Sequence, residues 1–228
     1  MKQLFHFIRQ KYLFIKYSRK YKNNKIYLII NGKEKQVHPS KYIKNFEITF
    51  RGSNNKVTIE LPQKMHHFIL KVNSSNNTVY VGKNCSGKYN FRLIGNDNIV
   101  KIGENNTSSG FSAILNDSKL IIGNNCMFSN SIKLWTDGHS VIDKDTKELL
   151  NPSGRTIKIG NHVWIGENVT LLKKTNIPDN CIIAHSSIIT KEFTKENCIY
   201  AGNPAKAVKY NIDWHKASPK EYHKGLVN

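Results

Sequence analysis

Four stretches of the chain pair an Asn-rich turn with a short run of alternating apolar and polar residues. They are Asn54–Ile59, Asn76–Val81, Asp97–Ile102 and Asn116–Ile122. Their last apolar residues, Ile59, Val81, Ile102 and Ile122, stand 22, 21 and 20 residues apart. A turn with one or two short strands cannot bury its own apolar face, so repetition at this period predicts a solenoid whose stacked units bury one another. Beyond residue 122 the period tightens to six. Ile122, Phe128 and Leu134 lead one triplet, Ile159, Ile165 and Leu171 the next, and Ile177, Ile183 and Ile189 a third. Small residues stand four places after most leaders, as at Cys126, Val163, Val169, Thr175, Cys181 and Ser187. A narrow core with three sides accepts that pairing of a branched leader with a small partner. A helix would rotate every sixth residue around its axis, which excludes it. Six regular hexads over Ile159–Thr194 also argue against a sandwich of short strands.

The run Ile157-Lys158-Ile159-Gly160-Asn161-His162-Val163-Trp164-Ile165-Gly166 and the run Ala201-Gly202-Asn203-Pro204-Ala205-Lys206 carry a resemblance. Together with the hexads, which span roughly residues 54–210, they resemble the left-handed β-helix (hexapeptide-repeat) acyltransferases. Within that family the chain looks most like the galactoside-type and capsular polysaccharide O-acetyltransferases, including those acting on polysialic acid. The resemblance implies an all-β solenoid, a left-handed parallel β-helix of 18-residue coils. It also implies acetyl-CoA as co-substrate and a homotrimer with active sites between subunits. The expected organisation is an N-terminal helical and β cap over residues 1–53, the β-helix over 54–210 with a loop at about 136–156, and a tail over 211–228 containing a short helix. Within the cap, Lys25–Val37 reads as a hairpin, because Asn31-Gly32 is a strong two-residue turn.

One interruption breaks the repeat. Leu134 and Ile159 are 25 residues apart where a continuing solenoid needs six, so 19 residues are inserted. Long loops inside regular repeats are commonly functional. This one contains Thr136-Asp137-Gly138-His139-Ser140. In the resembled family a protruding loop carries or follows the catalytic His, and His139 matches that position. A sugar hydroxyl is a poor nucleophile at neutral pH. An imidazole, with a free pKa of about 6.5, can take its proton as it attacks a thioester. CoA thiolate is already a good leaving group, so direct transfer is expected, without an acyl-enzyme. Asp137, Asp143 or a backbone carbonyl could orient His139. Trp164 matches a family residue near the active site, where its indole N–H could donate to substrate or thioester.

The resemblance also carries CoA contacts onto Gly166, Glu167, His185, Thr190, Lys191, Lys206 and Lys209. His185 stands where the family usually has Gly or Ala. Lys206 and Lys209 follow Gly202-Asn203-Pro204 and match basic positions that meet the nucleotide phosphates, where Lys acts as a point charge. The fold also hosts zinc enzymes, and His139, His162 and His185 are spaced 23 and 23. With an 18-residue coil that step moves from one face toward the next, so the three should not converge on a metal.

Composition adds two constraints. Among 228 residues, 35 Lys and Arg face 16 Asp and Glu, a net charge of +19. Such a surface favours a polyanionic partner. Read with the resemblance, it points to an acidic capsular or lipopolysaccharide-type glycan. Nucleic acid is disfavoured, since no aromatic-and-basic module accompanies the charge. The competing readings are a sugar N-acetyltransferase and a non-catalytic β-helix that binds a polyanion. A serine acetyltransferase would need a large helical N-terminal domain. Four cysteines form no CxxC pair, and Cys85, Cys126 and Cys181 occupy inward repeat positions, as apolar fillers in a reducing, cytoplasmic compartment would. Charges interrupt every apolar run in Met1–Lys22, which argues against a membrane span. That segment is expected to form a basic helix packed on its own domain or lying peripherally on a membrane.

Overall fold

The computed structural model describes residues 22–38, 43–136, 138–152 and 156–225. The expected N-terminal basic helix falls outside these residues, and so does Asp137. The first strands are β1 (Lys25–Ile30), β2 (Lys33–Val37), β3 (Phe46–Phe50), β4 (Lys56–Glu60) and β5 (Lys64–Val72). They are followed by β6 (Thr78–Val81), β7 (Ser86–Leu93), β8 (Ile99–Ile102), β9 (Thr107–Leu115) and β10 (Lys119–Ile122). The narrow coils supply β11 (Met127–Phe128), β12 (Ile132–Trp135), β13 (Thr156–Ile159), β14 (Trp164–Ile165), β15 (Thr170–Leu172), β16 (Asn176–Ile177), β17 (Ile182–Ile183) and β18 (Ile188–Ile189). Strands β19 (Cys198–Gly202) and β20 (Ala205–Tyr210) close the stack.

These strands wind into a parallel β-solenoid of about seven turns with three faces. The first face stacks β1, β4, β6, β8, β10, β13 and β16. The second face stacks β11, β14, β17 and β19, and the third stacks β12, β15 and β18. In the earlier coils the single strands β5, β7 and β9 run across both of these faces, since β9 pairs with β11 at Thr107–Ser108 and with β12 at Phe111–Ile114. The hexad leaders all point inward: Ile122, Phe128, Leu134, Ile159, Ile165, Leu171, Ile177, Ile183 and Ile189 are buried, as are their small partners. The wider early coils have room for rings. Phe46, Phe68, Phe91, Phe111 and Phe128 form a column with neighbouring centroids 4.9, 5.5, 5.7 and 5.1 Å apart. The 18-residue coils are filled by Ile and Leu instead.

The Asn-rich turns have a double role at the corner between the third and first faces. The leading residue of each pair, Asn54, Asn76, Asp97 or Asp117, takes the left-handed conformation, which Asn and Asp tolerate better than most side chains. The next residue points inward and bonds to the coil below. Asn55 Oδ1 accepts from the backbone N and Nδ2 of Asn77 at 2.9 and 2.8 Å, and Asn77 Oδ1 accepts from those of Asn98 at 3.0 and 2.9 Å. Asn98 Oδ1 then receives the backbone N–H of Ser118. The ladder satisfies backbone groups that the corner would otherwise bury unpaired.

The hairpin at Lys25–Val37 is present, turning on Asn31 and Gly32 at φ values of 50° and 76°. Strand β1 also pairs in parallel with β4, from Lys25 beside Lys56 to Ile29 beside Glu60, so the hairpin extends the first face. All four cysteines are free and buried, which holds their thiols protonated: burial pushes Cys126 up to about 12, and Cys85 and Cys181 to about 11. At the other end, the tail includes the helix Pro219–His223, with a capping box between Ser218 and Glu221. Before reaching it, the chain folds back onto the solenoid at Trp214.

Candidate active site

The inserted residues leave the solenoid between β12 and β13. Register measures their number. Lys119 of β10 lies beside Thr156 of β13, 37 residues on, 19 more than the 18 that separate Lys158 from its partner Asn176. The loop starts at a fixed point: Thr136 is fully buried, and its Oγ1 accepts the backbone N–H of Asn116 at 2.9 Å. It ends at another, where Lys173 Nζ donates to the Asn151 carbonyl at 2.9 Å. Between them the chain forms a small hairpin, with Ile142 bridged to Leu149 and the Asp143 carboxylate capping the turn through the N–H groups of Asp145 and Thr146. Those bonds hold the Asp143 carboxyl below its ordinary value and commit its Oδ1 to the turn. His139 is exposed at the base of this hairpin, and its carbonyl accepts from Asn151 Nδ2 at 2.8 Å. Val141, Ile142, Leu149 and Leu150 are each half exposed or more.

Trp164 lies elsewhere, on the outward side of β14 on the second face. Its Nε1 is 3.4 Å from Ser129 Oγ, and its ring packs 6.0 Å from that of Trp214. Trp214 is held tightly. It stacks on His162 at 4.4 Å with an 8° interplanar angle, and its Nε1 donates to the His162 carbonyl at 2.8 Å. His162 Nε2 is 3.1 Å from both Asp213 Oδ1 and the Trp214 carbonyl. The corner carrying His162 is otherwise built from Asn in the left-handed conformation, at Asn84, Asn105, Asn125, Asn180 and Asn197; His162 adopts it too, at φ 52°. A bulkier side chain there costs backbone energy, and the stack and bonds to the tail offset it. This cluster around Trp164 was not legible in the sequence, because His162 and Trp214 are 52 residues apart and neither breaks the hexad pattern.

The remaining candidates form two groups. Gly166, Glu167 and His185 lie at the corner between the second and third faces, where β14 pairs with β17 and the Ser186 N–H donates to the Glu167 carbonyl. A Cβ on Gly166 would come within 2.8 Å of the His185 backbone nitrogen, so only glycine lets the coils close there. Lys206 and Lys209 are exposed on β20, and Lys209 pairs with Ile199, in the outward row Trp164–Ile182–Ile199. Thr190 and Lys191 follow β18, on the side of the third face from which the His139 loop also rises. Within one chain, His139 and Trp164 are separated by the width of the third face. Among the described residues no three His, Cys, Asp or Glu side chains gather as metal ligands. No described helix is long and apolar enough to cross a membrane.

The comparisons agree with this architecture. The chain is 33% identical over 202 residues to the polysialic acid O-acetyltransferase of Neisseria meningitidis, covering 78% of this chain and 92% of that protein. It belongs to the left-handed β-helix O-acetyltransferases. No protein-family model matches it. The galactoside O-acetyltransferase of Escherichia coli K12 is 31% identical over 113 residues, about half of each chain. The crystal structure of the polySia specific acetyltransferase NeuO superposes with a TM-score of 0.69 at 29% identity, over 80% of this chain and 88% of that one. Membership makes this chain an acetyltransferase of surface glycans.

Proposed function

We propose that the chain moves the acetyl group of acetyl-CoA onto a hydroxyl of an acidic bacterial surface glycan, with His139 as general base, at a site shared by two copies of the chain. What carries the reading is the arrangement of the repeat around its one interruption. His139 stands on a loop anchored at both ends, and Trp164, the other residue expected at the reaction, is a face away. A neighbour that brings its His139 loop against the second face completes the pair, and the half-exposed Val141, Ile142, Leu149 and Leu150 supply an apolar contact for that docking. A homotrimer is the closed assembly that repeats such a head-to-tail contact.

In this reading the acetyl thioester lies beside Trp164. The pantetheine arm follows the corner at Gly166, Glu167 and His185, and the nucleotide phosphates meet Lys206 and Lys209. Lys209 is three strands from Trp164, roughly 14 Å at about 4.8 Å per strand, a span that an extended pantetheine arm can bridge. Thr190 and Lys191, beside the departing loop, meet the same cofactor from the other subunit. The hydroxyl oxygen attacks the thioester carbonyl as His139 takes its proton, CoA leaves as thiolate, and the Trp164 N–H is available to the developing oxyanion. Asp137 adjoins the loop base and is the carboxylate proposed to orient His139. The chain works in the cytoplasm as one β-helix domain with its N-terminal cap and tail, and the basic N-terminal segment can hold it at the membrane surface.

The test is thiol release from acetyl-CoA with acidic and neutral glycans. His139→Ala should lower kcat/KM by about 10²–10⁴-fold, the usual worth of a positioned base. Mixing inactive His139→Ala and Trp164→Ala chains should restore part of the activity, because some sites then combine an intact loop with an intact Trp. Near-wild-type turnover by His139→Ala removes the mechanism. Absence of rescue removes the shared site. Turnover only on amino sugars favours N-acetylation.

A further inference from the structure

A groove of about 320 Å³ opens on the outer surface where the second and third faces of the wide coils meet. Its origin lies in coil width. The narrow coils turn this corner through single left-handed residues, Ser131, Asn168 and Ser186. The wide coils instead carry β5, β7 and β9 across it, with register breaks between Met65 and His67 and between Gly87 and Tyr89. The last wide coil meets the first narrow turn at Asn130 and Ser131, which form part of the groove wall. His67, Lys88 and Lys133 line the groove, joined by Asn90, Ser112 and Asn130, and no carboxylate does. The row Asn90–Ser112–Lys133 runs across adjacent strands. On the same face Lys71 sits beside Arg92 in the next row. Ser129, adjoining Asn130, is the residue that Trp164 Nε1 approaches.

The groove therefore abuts Trp164 from the N-terminal side, whereas Glu167, His185, Lys206 and Lys209 lie on the C-terminal side. We infer that this groove is the acceptor subsite, and that it seats the carboxylated sugars of an acidic glycan against Lys88 and Lys133. The inference rests on the acetyl-transfer reading and says where the acceptor lies. Two ammonium groups on flexible stems suit carboxylates repeated along a polymer, since each acts as a point charge without fixed geometry. The hydroxyl and amides of Ser112, Asn90 and Asn130 can bond sugar hydroxyls. Because all of these side chains are exposed, the attraction is screened by salt.

The test uses Lys88→Glu and Lys133→Glu, exposed positions whose side chains lie outside the core, with Lys119→Glu on the first face as a charge control. Thiol release is followed with acetyl-CoA and oligosialic acid as the acidic probe, and binding of the same probe is followed by calorimetry. The groove variants should raise the acceptor KM tenfold or more, leave kcat and the KM for acetyl-CoA within twofold, and flatten the salt dependence of acceptor KM. An unchanged acceptor KM, or an equal rise in Lys119→Glu, overturns the groove assignment. Wild-type turnover of neutral glycans alone overturns it too, while leaving acetyl transfer standing. If no glycan supports turnover, the acetyl-transfer reading fails, and calorimetry still decides the groove: tenfold weaker binding in Lys88→Glu but not in Lys119→Glu upholds it, and equal binding in all three overturns it.

Discussion

Replacing Trp214 tests whether the returning tail is part of the folded domain. The side chain is 8% exposed, stacked on His162 and bonded through Nε1 to the His162 carbonyl. Truncating a buried Trp to Ala typically costs about 3–5 kcal/mol. This ring sits at the edge of the solenoid, where the tail can relax, so Trp214→Ala should fall near the lower end, about 3 kcal/mol. Trp214→Phe keeps most of the stack and loses the N–H bond, worth about 1 kcal/mol. Urea unfolding of both variants would separate packing from hydrogen bonding. A double-mutant cycle with His162→Asn isolates the stack, because Asn keeps a side chain suited to the left-handed corner. Coupling between the two positions of about 1 kcal/mol or more is expected, beyond the additivity seen for distant sites. Trp164 emission supplies a second reading, shifting to the red when Trp214 is removed. If Trp214→Ala unfolds within 0.5 kcal/mol of wild type and Trp164 emission does not move, the tail contributes neither stability nor shape to the site.

Further expectations concern stacking and pH. Gly166→Ala should weaken CoA binding and lower thermal stability, since the new Cβ meets backbone of the next coil at 2.8 Å; retention of both would mean that the corner yields freely. The buried thiols should make stability fall in alkali. Cys126 is raised from 9.0 to about 12, and Cys85 and Cys181 to about 11. Above pH 9 the unfolded chain therefore releases thiol protons that the folded chain keeps, so their contribution is complete below pH 9 and is lost as pH rises toward 11–12. Replacing the three with Ala or Ser, and comparing the pH dependence of unfolding between pH 8 and 11, checks this; an unchanged slope would count against it. Charge placed on the loop, as Ile142→Asp with Leu149→Asp, should shift the assembly toward monomer by sedimentation while leaving the β signal in circular dichroism; an unchanged oligomer would show that the loop is not the contact.

Most of the solenoid was legible along the chain because each coil repeats one local problem. A leader must fill a narrow core every sixth residue, so Ile159, Ile165 and Ile177 reveal the period without any knowledge of the neighbours. The Asn pairs mark corners because left-handed backbone favours particular side chains. The insertion and its length followed from subtraction alone, and the register of β10 against β13 bears it out. Tertiary structure decided what depends on distance through space. Only stacking put the second Asn of each pair into a buried ladder, joined β1 to β4, and brought Trp214 back across 52 residues to His162. Stacking also set His139 and Trp164 a face apart and opened the groove at Lys88 and Lys133, because coil width, a property shared by consecutive turns, decides where a corner closes.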